Sequence, residues 1–225
     1  MHHIQRKILG KLLYAANLAY AQLRPEGIES NHFAYHLDQL VEGGLIIKAK
    51  RRYSLTTAGL ILVDRLSQEK MVERRQPNIV TAIALTNLRG DLLLFKRAYQ
   101  PFIHRYGLPS GKIHDQETIM EAAERELLEK TGLSGITLKH RGIIYLESKL
   151  GDSTLSKVMY HLFEGQTSNV SPLPPPTHRG VCMWVDLAGL KDRELMPGLR
   201  RFVSLLQSEP NFFFTEVAEG VAEKT

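Results

Sequence analysis

Apolar residues in the first third of the chain follow the spacing of helices. Near the start they recur every three or four positions, at Ile4, Ile8, Leu9, Leu12, Leu13 and Ala16. This spacing puts them on one face of a helix, so the pattern predicts a helix from Ile4 to Gln22. A second helix is predicted to begin at Ser30 and to stop at Gly43-Gly44, because glycine is common just beyond a helix end.

A β-hairpin is predicted after the second helix. Its strands are the β-rich segments LIIK and YSLT, and the basic turn AKRR joins them. Thr56 or Thr57 is suited to cap a further helix in AGLILVDRLSQ, since a threonine hydroxyl accepts a hydrogen bond at a helix start. The polar segment SQEKMVERRQPN follows, and Pro77 disfavours helix at the residue before it. We therefore predict two domains, at residues 1–75 and 76–225.

The second domain is predicted to mix strands with helices. Four β-rich segments predict strands: IVTAIALT, DLLLFKRA, GIIYLES and KVMYHLFEG. The segment MPGLRRFVSLLQ has one apolar stripe and predicts a packing helix. The three aromatic residues 212–214 then either pack against the chain's own core, which we expect, or form the contact of a homodimer.

Composition indicates a globular chain without a membrane partner. No apolar run reaches the roughly 18 residues that would span a bilayer, and the N-terminus lacks the form of a signal peptide, so we expect a cytoplasmic location. The single cysteine, Cys182, lies among apolar residues and is predicted to be a buried small hydrophobe without chemistry.

The positive charge of the chain is concentrated in its first third. The formal net charge is +5; residues 1–75 carry 12 Lys and Arg against 7 Asp and Glu, whereas residues 76–225 carry 17 of each. This asymmetry favours a basic module that meets a polyanion. The alternative is that the surplus charges form an ordinary solvated surface.

The order of helices, basic hairpin and YSLTTAGL resembles the winged helix-turn-helix domains of bacterial regulators. That resemblance implies contacts with double-stranded DNA, in which the helix after the turn reads bases and the hairpin touches phosphates. The base contacts would come from Asn31, His32, Tyr35, His36 and Gln39. The phosphate contacts would come from Lys48, Lys50, Arg51 and Arg52. A winged helix used for dimerisation or domain contact is the alternative.

An acidic helix is the strongest chemical signal of the chain. The segment GKIHDQETIMEAAERELLEKTGL predicts a helix from Thr118 to Lys130, with Gly132 ending it. Glu126 and Glu129 are three residues apart on one helix face, where both carboxylates can reach one divalent cation. An exposed helix that is simply acidic is the structural alternative.

This segment resembles the Nudix box, a fixed pattern of glycines, acids and one arginine. The positions that match are Gly111, Glu117, Arg125, Glu126, Leu127, Glu129, Gly132 and Leu133. One position departs from the pattern, because Lys130 stands where a second adjacent glutamate is usual. The flanking segments are also similar to Nudix elements, so the resemblance covers about residues 78–207, although Ser110 departs from the usual Pro-Gly-Gly.

The resemblance implies an α/β/α sandwich with a mixed sheet that hydrolyses a nucleoside diphosphate linked to another group, with Mg²⁺ or Mn²⁺. Carried over to this chain, Glu126 and Glu129 become metal ligands and catalytic groups. Arg125 and Glu117 become an orienting pair, and Gly111, a substrate-binding position, lets the backbone turn tightly at the metal.

Lys130 changes the expected chemistry of the box. A protonated lysine does not coordinate metal, and Glu126 precedes it by four residues, so the two are predicted to form an exposed ion pair that occupies one ligand. The ammonium is also suited to attract a diphosphate. Glu147, Asp152 or Glu164 could replace the missing ligand, and His178 or Arg179 in the proline-rich loop could contact phosphate.

Two functions follow from these observations. One is a metal-dependent hydrolase of a nucleoside diphosphate compound, with a winged helix that localises or regulates it. The alternative is a transcription regulator whose Nudix domain senses a nucleotide metabolite without turnover. Retention of both glutamates favours the first function, whereas Lys130 and the basic first third favour the second.

Overall fold

The computed structural model describes residues 1–67, 76–169 and 172–221. The chain divides into two compact units, Met1–Arg75 and Gln76–Thr225. Most of the predicted linker SQEKMVERRQPN falls at residues 68–75, outside the described residues. Among the helices of the described ranges, none is both long enough and apolar enough to cross a membrane.

The first unit is a small α+β fold. Its elements are α1 (His3–Leu13), β1 (Leu18–Ala19), α2 (Tyr20–Leu23), α3 (Ser30–Glu42), β2 (Ile46–Ala49), β3 (Arg52–Leu55) and α4 (Thr57–Asp64). β3 lies between β1 and β2 and is antiparallel to both. The predicted hairpin and second helix are confirmed, and Thr56 caps α4 by accepting a hydrogen bond from the Gly59 N–H at 3.0 Å. This arrangement fits a winged helix.

The predicted first helix, Ile4 to Gln22, is wrong in its second half. α1 ends at Leu13, and Leu18 and Ala19 instead pair with β3 as the short strand β1. The guanidinium of Arg52 also donates a hydrogen bond to the carbonyl oxygen of Asn17 at 3.2 Å. The helical pattern through Ala16 is overridden because these partners, distant in sequence, hold the segment in an extended form.

The second unit is built on one mixed sheet. Its elements are β4 (Asn78–Asn87), β5 (Leu92–Arg97), β6 (Tyr106–Gly107), β7 (Ser110–Lys112), α5 (Ile119–Thr131), β8 (Lys139–Leu150), β9 (Ser153–Thr167), β10 (Gly180–Val185), α6 (Leu199–Ser208) and β11 (Phe213–Gly220). The main strand order is β10-β5-β4-β9-β8-β11, with β6 on β5 and β7 on β4. β4 is parallel to β9, β11 is parallel to β8, and the other pairs are antiparallel.

Both faces of this sheet are covered by a helix, because alternate residues of a strand point to opposite sides. α5 packs through Ala123 and Leu127 against the face that carries Ile83 and Phe163. The opposite face packs against α6; it carries Ala82, Leu94 and Leu162, which meet Phe202 and Leu205. The predicted α/β/α sandwich with a mixed sheet is therefore confirmed.

The aromatic run near the end of the chain is only partly buried, so the expectation that all three residues pack against the core is wrong. Phe213 turns toward the sheet core beside α6. Phe212 and Phe214 are 59% and 60% exposed. The alternation of an extended segment explains this result, since neighbours of an inward residue face outward.

Candidate functional site

Capping residues fix both ends of α5. The position of these ends determines which acidic residues share one face of the helix. Thr118 accepts a hydrogen bond from the Glu121 N–H at 3.2 Å, and the Glu121 carboxylate accepts one from the Thr118 N–H at 2.7 Å. This reciprocal capping satisfies two backbone donors at the helix start. Gly132 ends the helix with φ of +70°, a conformation that suits glycine.

Glu117 and Arg125 form a bidentate ion pair across the loop before α5. The guanidinium donates to both carboxylate oxygens, at 2.9 and 2.7 Å. The Arg125 hydrogen bonds, followed by the His114 N–H, lower the pKa of Glu117 to about 2. The carboxylate is therefore ionised at neutral pH, and the geometry is that expected of a pair that orients the loop.

Arg125 also contacts three other groups. Its guanidinium donates to the Lys112 carbonyl oxygen at 3.0 Å and to Glu126 at 2.8 Å, and it lies 3.5 Å from Glu129. The hydrogen bond with Glu117 is the main reason that the pKa of Arg125 lies above its usual value. One cation thus holds the loop, the end of β7 and two acidic positions of the helix.

Gly111 lies directly against the Glu126 side chain. β7 places it opposite Thr81 of β4, with its Cα facing the Glu126 carboxylate. A Cβ atom at Gly111 would overlap the carboxylate carbon and both oxygens. Glycine is therefore required for close packing of the carboxylate against the strand, which is a different reason from a tight turn.

The predicted ion pair of Lys130 with Glu126 is confirmed, but it is partly buried and not exposed. The side chains of Glu126 and Lys130 are 8% and 17% exposed. The Lys130 ammonium also donates to the Ser110 carbonyl oxygen at 2.8 Å. Burial raises the pKa of Glu126, but hydrogen bonds and charges of Lys130 and Arg125 outweigh burial, and the net pKa lies below the usual value.

The residues at this site do not fit a divalent cation. Arg125 holds one oxygen of Glu126 and Lys130 holds the other, and Glu129 reaches out beside them with its side chain 47% exposed. Within the described ranges, no group of three or more acidic, histidine or cysteine side chains is placed to hold a metal ion. Mg²⁺ and Ca²⁺ sites need several oxygen ligands that are not already paired with cations.

The downstream acids proposed as replacement ligands are engaged elsewhere or lie apart from the box. Glu147 accepts a hydrogen bond from Thr154 at 2.6 Å. Glu164 pairs with Arg141, and Asp152 lies in the exposed turn between β8 and β9. Their contacts give none of them a place beside Glu126.

A groove of about 360 Å³ lies beside the last turns of α5. Its walls are the end of α5, strand β10 and the proline-rich segment before that strand. The lining residues include Phe95, Glu129, Lys130, His178, Arg179 and Cys182. Cys182 is buried, as predicted, and burial raises the pKa of its thiol to about 12, so it is not a nucleophile at neutral pH.

The predicted DNA-reading residues lie along α3. Asn31, His32, Tyr35 and Gln39 are exposed, which base contacts require, although the Gln39 amide donates to Glu42 at 3.0 Å. His36 is half-buried, because the ring of His2 stacks on it with centroids 4.1 Å apart. The structure thus leaves four of the five side chains open to a partner and covers the fifth.

The four basic residues of the hairpin differ in exposure and in the contacts of their side chains. Lys48 lies over the ring of Tyr53, 5.5 Å from its centroid. Lys50 and Arg51 form the exposed turn, and Lys50 has φ of +57°. The Arg52 guanidinium donates hydrogen bonds to both the side-chain oxygen and the backbone carbonyl oxygen of Asn17. The tip of the hairpin is therefore exposed, whereas Arg52 next to it is held by Asn17.

Sequence reasoning missed the backbone carbonyls of the site. The Ser110 and Lys112 oxygens accept from Lys130 and Arg125, and nothing in the sequence marks a carbonyl as an acceptor. Phe95 was also missed; its ring centroid lies 5.6 Å from the Lys130 nitrogen. Phe95 lies late in the predicted strand DLLLFKRA, and this location was the one sequence feature that could have pointed to it.

Comparison with known proteins relates the second unit to a protein family. The family model described as NUDIX domain matches residues 75–206. Similar solved structures include the NUDIX domain of Shewanella oneidensis NrtR complexed with ADP ribose, with 16% identity, a TM-score of 0.51 and coverage of 60% of this chain and 88% of that chain.

Two further solved structures show the same fold. A MutT protein from Bacillus halodurans has 17% identity, a TM-score of 0.53 and coverage of 64% of this chain and 90% of its own. A NUDIX hydrolase from Nitrosomonas europaea has 18% identity, a TM-score of 0.51 and coverage of 61% and 93%. At these identities the likeness concerns the fold alone. A comparison with curated proteins gave no match.

Proposed function

Because the chain belongs to the NUDIX domain family, we propose that its second unit binds a small molecule containing a nucleoside diphosphate, and that the winged helix couples this binding to double-stranded DNA. The protein is then a regulator that recognises its ligand without cleaving it. The observation that carries the proposal is the pairing of Glu126, whose two oxygens are held by Arg125 and Lys130.

This pairing removes the usual means of hydrolysis while it keeps affinity for phosphate. A divalent cation, where one binds, supplies charge neutralisation and an activated water. An ammonium supplies positive charge and hydrogen-bond donors but does not activate water. A site with Lys130 at this position therefore favours binding over turnover.

The class of ligand follows from the family and from the groove. A volume of about 360 Å³ is within the range of small-molecule sites and accommodates part of a dinucleotide-sized compound. The NrtR domain from Shewanella oneidensis was crystallised with ADP ribose. ADP-ribose is accordingly the first compound to test, beside dinucleoside polyphosphates and nucleotide sugars.

Hydrolysis is the second candidate, and the exposure of Glu129 favours it. Its side chain is 47% exposed at the rim of the groove, so one acidic position of the box is accessible to solvent. Under this candidate Glu126 and Glu129 hold Mg²⁺ or Mn²⁺, and Arg125 and Glu117 keep the loop in place. It requires that the Lys130 ammonium first leave Glu126.

A paired measurement separates the two candidates. Thermal melting of the full chain is followed with each compound, and product formation is followed with the same compounds in Mg²⁺ and in Mn²⁺. We expect a ligand-dependent rise in melting temperature without products. Turnover by the wild type that Glu126→Gln abolishes would establish the hydrolase instead, and Arg89→Ala, in the β4–β5 turn, is the matched control.

DNA binding by the first unit is tested through the hairpin. Because Arg51 is exposed and Arg52 is hydrogen-bonded to Asn17, Arg51→Ala should reduce the slope of log K against log salt concentration by about one unit, and Arg52→Ala by less. The measurement is fluorescence anisotropy with random duplex DNA at several salt concentrations. Absence of salt-dependent binding would favour a winged helix that mediates dimerisation or domain contact.

A further inference from the structure

The ammonium of Lys130 is surrounded by oxygen ligands of the kind that bind metal ions. Its ammonium is held by the Glu126 carboxylate and by the Ser110 carbonyl oxygen, the latter at 2.8 Å. A carboxylate and a backbone carbonyl are the hard ligands that Mg²⁺ and Ca²⁺ take in proteins. In this chain the same pair of oxygens binds a cation that is covalently part of the helix.

One donor of this ammonium remains for a ligand. A lysine has three N–H donors, and Glu126 and Ser110 take two of them. The same side chain lines the groove beside Glu129, with the ring of Phe95 at 5.6 Å. The nitrogen is thus fixed by two contacts, and its side chain lines the groove, which lowers the entropy cost of binding an anion there.

Arg179 supplies a second cation in the lining of the same groove. Its backbone is anchored, because its N–H donates to Thr177 at 3.2 Å and its carbonyl accepts from Ala98 at 3.0 Å. Its side chain is exposed and makes no hydrogen bond or ion pair with any residue of the described ranges. An arginine whose backbone is anchored and whose guanidinium N–H groups point to solvent is suited to bidentate recognition of phosphate.

We propose that Lys130 is a tethered cation that replaces the divalent ion in this site, and that Lys130 and Arg179 together bind the diphosphate of the ligand without metal. This inference rests on the proposed function and deepens it. It assigns the diphosphate to the groove between α5 and β10, and it makes binding independent of Mg²⁺ and Mn²⁺.

Calorimetric titration of the full chain tests the inference with three probes: ADP-ribose, ADP and inorganic pyrophosphate. Each is titrated once in EDTA and once in Mg²⁺. We expect equal affinity in the two buffers. Lys130→Met and Arg179→Ala should each weaken binding in EDTA by about ten- to hundredfold, the worth of one charge-assisted hydrogen bond. Arg89→Ala should leave the affinity unchanged.

Lys130→Glu provides the converse test. It should abolish binding of pyrophosphate in EDTA and create affinity for Mn²⁺ alone, which electron paramagnetic resonance detects without any ligand or turnover. The urea midpoint of each variant checks that it folds, and Arg179→Ala keeps the test valid if a Lys130 variant does not. Within the described ranges Arg179 makes no ion pair, so its replacement by alanine breaks no internal salt bridge.

The outcomes separate this inference from the function on which it rests. Binding in Mg²⁺ that EDTA abolishes would overturn the tethered cation and leave the binding function intact. Equal binding by the wild type, Lys130→Met and Arg179→Ala would overturn the proposed site. Failure of every probe to bind in either buffer would overturn both proposals.

Discussion

The ion pair of Glu126 and Lys130 should be worth more than a pair on a helix surface. An exposed pair four residues apart contributes about 0.3–0.5 kcal/mol. Here the two side chains are 8% and 17% exposed, and Lys130 has a second acceptor at Ser110. Water screens this pair weakly, so we expect a coupling free energy of about 1.5–3 kcal/mol, the range of hydrogen bonds to charged groups.

A double-mutant cycle measures this coupling. The variants are Glu126→Gln, Lys130→Met and the double replacement. Each single replacement breaks the pair but leaves the remaining charge one contact, Arg125 for Glu126 and the Ser110 carbonyl for Lys130, so it should cost less than the roughly 3–5 kcal/mol of breaking a fully buried pair. The double replacement should cost less than the sum of the two, and the difference is the coupling free energy of the pair.

Urea unfolding followed by tryptophan fluorescence is the assay. The chain has one tryptophan, Trp184, and it lies in β10, so the signal reports the second unit. The matched control is a cycle on Arg89 and Asp91, whose side chains are 77% and 21% exposed and whose coupling should be about 0–1 kcal/mol. A coupling below about 0.5 kcal/mol at Glu126 would refute the reasoning, because it would show that water screens the pair.

Stability measurements on the second unit test three more features. Gly111→Ala should destabilise it by about 1–3 kcal/mol, because the added methyl group meets the Glu126 carboxylate; an unchanged urea midpoint would contradict this. Thr118→Ala should cost about 1 kcal/mol through loss of the α5 cap, whereas Thr118→Ser should keep most of it. Burial lowers the pKa of His140 and His161, so the unfolded chain takes up protons first as the pH falls; stability should be full above about pH 6.5 and decline below it, and glutamine at both positions should flatten that profile.

The local part of the site was predictable from sequence, and its long-range part was not. On a helix, Arg125, Glu126 and Glu129 lie close together, so their spacing in the sequence was sufficient to predict that they share one site. The contact from Lys130 to the Ser110 carbonyl joins residues twenty positions apart. It exists because β7 pairs with β4 beside α5, and no local pattern encodes that pairing.

The same distinction applies to the fold. The β-rich segments predicted four long strands of the second unit and the hairpin of the first. The helix predicted from Ile4 to Gln22 failed because Leu18 finds its partner at Tyr53, far along the chain. Likewise, the parallel pairing of β4 with β9 and of β8 with β11 depends on tertiary packing.

The single guanidinium of Arg125 has a mechanical consequence. It joins the loop residue Glu117, the carbonyl at the end of β7 and the acidic side of α5. Loss of this one side chain would therefore remove contacts from all three parts at once, so a single replacement at Arg125 should loosen the loop and the helix together.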